Sequence, residues 1–106
     1  MKQQKKHPRP SKVRVFSLGK YVERALELAE YSRDENGVIV GKVPGASGFF
    51  AQGDSSEEAR ENLRDVIEGN VLLALQLDLP IPRIPGVTIK EIERGEAHAA
   101  STLRGD

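Results

Sequence analysis

The sequence predicts an α+β fold, in which a small antiparallel sheet of three to four strands is covered on one face by one main helix and preceded by a shorter helix. Apolar residues recur at helical spacing before residue 30 and again after residue 55, which indicates two helices. A hairpin signal and β-branched residues lie between them, and this order of elements is typical of α+β domains. A chain of 106 residues has room for one hydrophobic core.

Charge divides the chain into a basic N-terminal segment and an acidic remainder. Residues 1–14 hold six basic and no acidic side chains, which leaves ten basic and 16 acidic side chains in the rest. We expect residues 1–16 to be a basic, flexible tail, which either is solvated or contacts nucleic acid. The candidate nucleic-acid contacts are Lys5, Lys6, Arg9 and Lys12. No aromatic residue lies among these charges, which argues against a base-stacking surface.

The first helix is predicted over residues 20–30. Four apolar residues there follow the i, i+3, i+4, i+7 spacing of one helix face: Val22, Ala25, Leu26 and Ala29. Ahead of this helix, apolar and polar residues alternate over 13–16 and favour a short strand at the end of the tail.

A β-hairpin is predicted around Asn36-Gly37. Both residues tolerate the positive φ of a tight primed turn, and β-branched residues follow directly at 38–40. We therefore expect strands at 31–34 and 38–43, and a third short strand at 49–52. Gly41 inside the second strand indicates a bulge or the close approach of a neighbouring group.

The main helix is predicted over residues 55–77. Ser55 and Glu58 fit a capping box, in which the hydroxyl accepts from a backbone amide and the carboxylate reaches back to another. One apolar stripe is expected to face the core: Ala59, Leu63, Val66, Ile67, Leu73, Ala74 and Leu77. Asn70 falls within this stripe, so it needs a hydrogen-bond partner or lies at an interface.

Two apolar features are predicted to lie at interfaces. Phe49 and Phe50 are neighbours on a strand and so point to opposite faces of the sheet. One of them enters the core, while the other, beside Gln52, is either covered by a loop or anchors a partner. Leu72 and Leu75 fall opposite the stripe of the main helix, and we expect that surface to mediate self-association.

The segment after the main helix is predicted to be extended, because Pro80, Pro82 and Pro85 exclude a helix. Residues 87–92 alternate and predict a last strand, and residues 93–106 have the composition of a polar tail. No apolar run approaches the roughly 20 residues that span a bilayer. The N-terminus also lacks the apolar segment of a secretory signal, so we expect a cytoplasmic protein.

The glycine-rich stretch VPGASGFFAQGDSSEEA fits neither of the catalytic loops that its composition suggests. No glycine lies two residues after Ser47, as a nucleophile elbow requires. The Gly41-Lys42 pair lacks the glycine spacing and the following Ser or Thr of a phosphate-binding loop. There is no cysteine, both histidines lie in the predicted tails, and the carboxylates belong to a turn or a helix start. We expect no enzymatic activity, no cofactor and no metal site.

Several motifs together resemble HicB-type antitoxins. They are the helix from Tyr21 to Ala29, the Asn36-Gly37 hairpin, the run VPG-x-x-G-x-x-AQGD-S-x-EEA-x-ENL and the closing LDLPIP. The resemblance covers residues 20–83. Members of that family often have proline immediately before the second glycine of the loop, where this chain has Ser47, and the turn is correspondingly less restricted.

The resemblance implies a partial RNase H-like fold without catalytic carboxylates, here over residues 17–92. It also implies that the chain binds and neutralises a HicA-like toxin, which is a small mRNA-cleaving protein, and that it forms a homodimer or homotetramer. Many members carry a C-terminal DNA-binding module, for which residues 93–106 are too short. Two alternatives stay open: an orphan homo-oligomeric HicB-like domain, and a nucleic-acid-binding regulator that acts through the basic tail.

Overall fold

The computed structural model describes residues 12–93, so the predicted contacts Lys5, Lys6 and Arg9 and the tail after residue 93 lie outside the described residues. Lys12 starts the first strand, and only its backbone is described. The elements in chain order are β1 (Lys12–Val15), α1 (Leu18–Leu28), β2 (Glu30–Arg33), β3 (Ile39–Lys42), β4 (Phe50–Gly53), α2 (Ser56–Leu77) and β5 (Lys90–Glu93).

The predicted α+β class is confirmed, and residues 12–93 contain two separate antiparallel sheets and two helices. Strands β2, β3 and β4 form a meander, and β1 pairs with β5 in a two-stranded ribbon. The last strand therefore does not extend the main sheet. It also begins at Lys90 rather than at 87, because Val87 and Ile89 pack against the core ahead of the segment that pairs with β1.

Helix α1 begins two residues earlier than its apolar spacing predicts, because Ser17 caps it. The Ser17 Oγ atom accepts a hydrogen bond from the Lys20 N–H, with an N–O distance of 3.1 Å. Its buried face consists of Tyr21, Val22, Ala25 and Leu26. The helix ends at Leu28 because the chain becomes extended at Ala29 and enters β2.

The predicted hairpin is present, but its turn is not the two-residue primed turn. Gly37 alone of the pair has a positive φ, at 85°, and its N–H donates to the Asp34 carbonyl at 3.0 Å. The Asp34 carboxylate accepts from the amides of Asn36 and Val38. Because the Asp34 carboxylate accepts these two loop amides in place of a backbone carbonyl, the loop is longer than a two-residue turn and is closed by Gly37.

Ser55 caps helix α2 as predicted. The second bond of the capping box, from a backbone amide to the Glu58 carboxylate, comes from Asp54 and not from Ser55 itself. The Ser55 Oγ atom accepts from the Glu58 N–H at 3.1 Å, while the Glu58 carboxylate accepts from the Asp54 N–H at 2.6 Å. Gly53 permits the sharp entry, because a Cβ there would lie only 2.6 Å from the Ala59 nitrogen.

The buried stripe of α2 is rotated relative to the predicted one. It consists of Ala59, Leu63, Ile67, Val71 and Ala74. Leu73 and Leu77 are 49% and 36% exposed instead. The rotation arises because α1 and the returning segment around Ile84 pack on the Val71 side of α2, where an ion pair between Arg64 and Glu23 also lies.

Candidate functional site

The three-stranded sheet has one face covered by α2 and one open face. The cross-strand pairs form two rows on one face of the sheet. One row is Tyr31, Gly41 and Ala51, and the other is Arg33, Ile39 and Gly53. Since Gly53 abuts the start of α2, these rows belong to the covered face. The open face therefore carries the alternate residues: Glu30, Lys42 and Phe50 in one row, and Ser32, Val40 and Gln52 in the other.

Phe49 and Phe50 divide between core and surface, as their adjacent positions predict. Phe49 is 1% exposed and packs edge-on against Tyr21, with 6.3 Å between ring centroids. Phe50 is 60% exposed on the open face. Phe49, one of the two candidates for a partner contact, is therefore not a direct contact, because its ring belongs to the core. Phe50 and the exposed Gln52 are the members of the predicted set that reach the surface.

The glycine-rich loop between β3 and β4 is closed by its own backbone hydrogen bonds. The Val43 N–H donates to the Phe49 carbonyl at 2.9 Å, and the Ala46 N–H donates to the Val43 carbonyl at 3.1 Å. The Phe49 N–H in turn donates to the Ala46 carbonyl at 2.9 Å. These three amides are therefore used within the loop and are not available to bind an anion.

This loop and the open face enclose a shallow concavity of about 620 Å³. Phe50 and Lys42 from the sheet form one wall, and Pro44 and Ser47 from the loop belong to the other. The concavity therefore combines an exposed aromatic ring, a flexible cation and a rigid turn, which are features of a surface that receives a protein side chain.

One end of the sheet is strongly acidic. Because Ile39 pairs with Gly53, the hairpin tip and the start of α2 lie at the same end. The carboxylates of this acidic end are Asp34, Glu35, Asp54, Glu57, Glu58 and Glu61. Arg33 and Arg60 are the basic residues among them, so the net charge is negative. Within residues 12–93, no group of carboxylates or histidines converges closely enough to hold a metal ion.

Two asparagines of α2 bond to backbone carbonyls on the outer edge of β4 and in the loop just before it. The Asn62 side chain donates to the Gln52 carbonyl at 2.8 Å, and the Asn70 side chain donates to the Gly48 carbonyl at 3.2 Å. Asn70 thus has the hydrogen-bond partner that was one of its two expected roles, although the residue is exposed and lies outside the buried stripe. The role of Asn62 was not predicted from the sequence. Its position two helical turns before Asn70, on the same side of α2, is the one feature that indicates it.

The last turns of α2 expose apolar side chains. Leu72 is 51% exposed, whereas Leu75 is half-buried and packs against the core cluster. Leu73 lies beside Leu72 on the surface, although its spacing predicts a core position. The exposed part of the predicted self-association surface is therefore Leu72, and Leu73 adds to it.

Tyr21 is a buried tyrosine with a structural role. Its hydroxyl donates to the Pro82 carbonyl at 2.6 Å, which fixes the proline-rich segment over α1. Burial raises the pKa of Tyr21 to about 12, so the hydroxyl stays protonated at neutral pH. Nothing in residues 12–93 forms a helix that is both long and apolar enough to span a membrane.

Comparisons with known proteins agree with this architecture. A family model described as UPF0150-like matches residues 20–82. The UPF0150 protein ssr1258 of Synechocystis sp. PCC 6803 is 42% identical over 36 residues, which cover 34% of this chain and 52% of that protein. The chain thus spans about half the length of this curated relative. The crystal structure of TTHA0281 from Thermus thermophilus superposes with a TM-score of 0.61 at 28% identity, covering 72% of this chain and 91% of the other.

Proposed function

This chain belongs to the UPF0150-like family, and from that premise we propose that it is a non-catalytic, antitoxin-like binding module that sequesters a small HicA-type mRNA-cleaving toxin. The observation that carries the proposal is the exposed Phe50 on the open sheet face, next to the acidic end of the sheet. In this proposal the chain acts in the cytoplasm, where such a toxin meets its mRNA.

The apolar part of the surface supports stable binding. Phe50 is the large aromatic side chain of the open face, and it borders a concavity that also contains the aliphatic Val40. Aromatic residues that fill a partner's pocket carry a large share of interface energy, and neighbouring polar groups such as Gln52 supply orientation. The face is therefore suited to a protein surface rather than to a small metabolite.

The charge of the acidic end supports selection of a basic partner. A protein that binds RNA carries a positive surface, and an acidic inhibitor competes with RNA for that surface. Opposite fields also speed the encounter between the two proteins, most strongly at low salt. Inhibition by occlusion requires no catalytic group in the antitoxin, and two carboxylates of the acidic end have structural roles instead. Asp34 holds the hairpin turn, and Glu58 caps α2.

The direct test is co-expression with the basic protein of about 60–80 residues that a toxin–antitoxin pair would encode next to this chain, a size typical of a small single domain. The wild-type chain should relieve the growth arrest, and the purified proteins should form a complex. Persistent arrest at equal expression, with no complex on gel filtration, would contradict the proposed function for that pair.

Phe50→Ser is the matched surface test. Loss of an aromatic anchor should weaken binding by about 30-fold or more, since a hot-spot residue contributes at least about 2 kcal/mol. Leu72→Ser is the control, because Leu72 is also about half exposed but lies on α2 away from the open face. Equal affinities for Phe50→Ser and wild type would remove the open face from the toxin interface.

A second candidate function, an orphan homo-oligomeric domain, is favoured by the exposed Leu72 and Leu73. Two apolar side chains on the surface of one helix are covered when copies associate through α2. Leu72→Glu should then lower the sedimentation mass while the circular dichroism spectrum stays that of the folded chain. An unchanged mass would exclude this helix from self-association.

The third candidate function, regulation through nucleic acid, depends on Lys5, Lys6, Arg9 and Lys12. Deletion of residues 1–12 should abolish salt-sensitive DNA binding if these side chains contact phosphates. Binding that survives the deletion would exclude the tail.

A further inference from the structure

The outer edge of β2 is exposed along its whole length, in contrast to the outer edge of β4. All four residues of β2 are exposed. Among residues 12–93, β3 is the strand that pairs with β2, and it occupies the inner edge. Exposed edges without proline, bulge or covering element are sites where another strand adds to a sheet. Asn62 occupies the Gln52 carbonyl on the outer edge of β4, and Asn70 occupies the Gly48 carbonyl just before that strand, so the β2 edge is the more accessible one.

The hydrogen-bond pattern identifies the groups that β2 offers to a partner. The Asp34 N–H donates to the Val38 carbonyl at 2.8 Å, so Asp34 directs its backbone toward β3. Backbone direction alternates along a strand, and Ser32 and Glu30 therefore also bond inward. Tyr31 and Arg33 direct their N–H and C=O groups outward. The Gln52 carbonyl, which points away from β3 to Asn62, agrees with the same alternation across the sheet.

We propose that β2 pairs antiparallel with β2 of a second copy of this chain, about a twofold axis that passes through Ser32. This register joins Tyr31 of each copy to Arg33 of the other and satisfies four outward backbone groups on each strand. A register centred on Tyr31 is poorer, because it needs the Ala29 N–H, which already donates to the Leu26 carbonyl at 3.2 Å. A register centred on Arg33 sets two like charges against each other.

The side chains of β2 leave its outer edge free for a second copy. The Tyr31 ring lies over Gly41 of β3, where a Cβ would be only 2.7 Å from the ring, and the Arg33 Nη1 atom donates to the Gly37 carbonyl of its own hairpin at 3.1 Å. In the Ser32-centred register Tyr31 therefore stands opposite Arg33 without a clash or a pair of like charges.

The register places two acidic side chains opposite each other, and nearby groups compensate their charges. Glu30 lies opposite Asp34 of the second copy, but the Asp34 carboxylate accepts two backbone amides. Lys42 is the cross-strand partner of Glu30. The acidic pair is therefore neutralised locally, and moderate salt should have little effect on the assembly.

The assembly would be one continuous six-stranded sheet with both α2 helices on the same side. The two open faces become one surface, with a Phe50 near each end. Five strand spacings of about 4.8 Å separate the two β4 strands, and the Phe50 rows are offset by four residues, or about 13 Å, along the strands, so the Phe50 positions are about 27 Å apart. This dimer does not depend on toxin binding, and it can form whether or not the proposed function is correct.

The chain contains no cysteine, so a single introduced cysteine tests the register without background. Two residues directly opposite in a non-hydrogen-bonded pair have Cα atoms about 4.5 Å apart, which is within the range of a disulfide. Oxidised Ser32→Cys should therefore run as a covalent dimer on a non-reducing gel, and reducing agent should return it to the monomer. Gln52→Cys is the control, on the same open face but on β4, and it should stay monomeric.

Sedimentation of the wild-type chain at micromolar concentration completes the test. We expect a mass of two chains or a multiple of it. A monomeric mass, or a Ser32→Cys variant that oxidises no faster than Gln52→Cys, would overturn the proposal. Faster cross-linking of Gln52→Cys would also overturn it and assign the association to β4.

Discussion

Gly53→Ala should destabilise the fold, because the methyl group has no space to occupy. A Cβ at this position would lie 2.6 Å from the Ala59 nitrogen and 2.9 Å from the Glu58 carbonyl carbon. Both atoms belong to the backbone of the first turn of α2, which a side-chain rotation cannot move. Overpacking of this kind costs about 1–3 kcal/mol. Alanine also restricts the unfolded chain, which offsets about 0.4–1 kcal/mol of that cost.

The assay is urea denaturation followed by circular dichroism at one fixed protein concentration, since association would add to apparent stability. We expect a net loss of about 1–2 kcal/mol, and each kcal/mol corresponds to about 4–8 °C in melting temperature for a domain of this size.

Gly69→Ala is the matched control. A Cβ at Gly69, in the middle of α2, would meet no atom within 4 Å. Helix propensity then dominates, and stability should rise by about 0.5–1 kcal/mol. If Gly53→Ala were as stable as Gly69→Ala, the close approach between β4 and α2 would not be what requires glycine.

Three further measurements test the caps and contacts. Ser55→Ala should lower the free energy of unfolding by about 1 kcal/mol by removing the N-cap acceptor of α2, whereas Ser56→Ala, one residue into the helix, should change it little. Tyr21→Phe leaves the Pro82 carbonyl without its donor, and it should cost about 1–3 kcal/mol in the same assay. Because the pKa of Tyr21 is raised from 10.0 to about 12, its contribution to stability is complete below pH 10 and is lost as pH rises through 12. Alkaline unfolding monitored by tyrosine absorbance should show this decline in the wild type and not in Tyr21→Phe. Glu57→Lys combined with Glu61→Lys should slow association with a basic toxin about tenfold at low salt, and should leave the rate unchanged at high salt.

Local features of the fold were predictable from the sequence. The hairpin could be placed because Asn36-Gly37 is a local signal, and Ser55 with Glu58 defined the start of α2. The turn geometry could not be predicted, because the Asp34 carboxylate competes for the loop amides. Turn type thus depends on a side chain outside the two signal residues.

Features that depend on distant contacts were not predictable. A 100° projection of α2 cannot say which side its neighbours cover, and the prediction placed Leu73 in the core instead of Val71. The pairing of β1 with β5 joins the two ends of the described chain, and no spacing signal indicates it. The same limit applies to the candidate site: alternation showed that one phenylalanine is exposed, but only packing against Tyr21 identifies it as Phe50.

The β1–β5 ribbon has a consequence for protein engineering. Lys12 pairs with Glu93, so the backbone positions where flanking sequence attaches are about 5 Å apart. A reporter or solubility tag joined directly to Lys12 or to Glu93 would therefore start from neighbouring backbone positions. Direct linkage of the two strands through a short turn would give a circularly permuted chain, which could be opened at the hairpin loop near Glu35. The Arg14 guanidinium, which donates to the Leu79 carbonyl at 2.6 Å, would hold this joined ribbon to the end of α2.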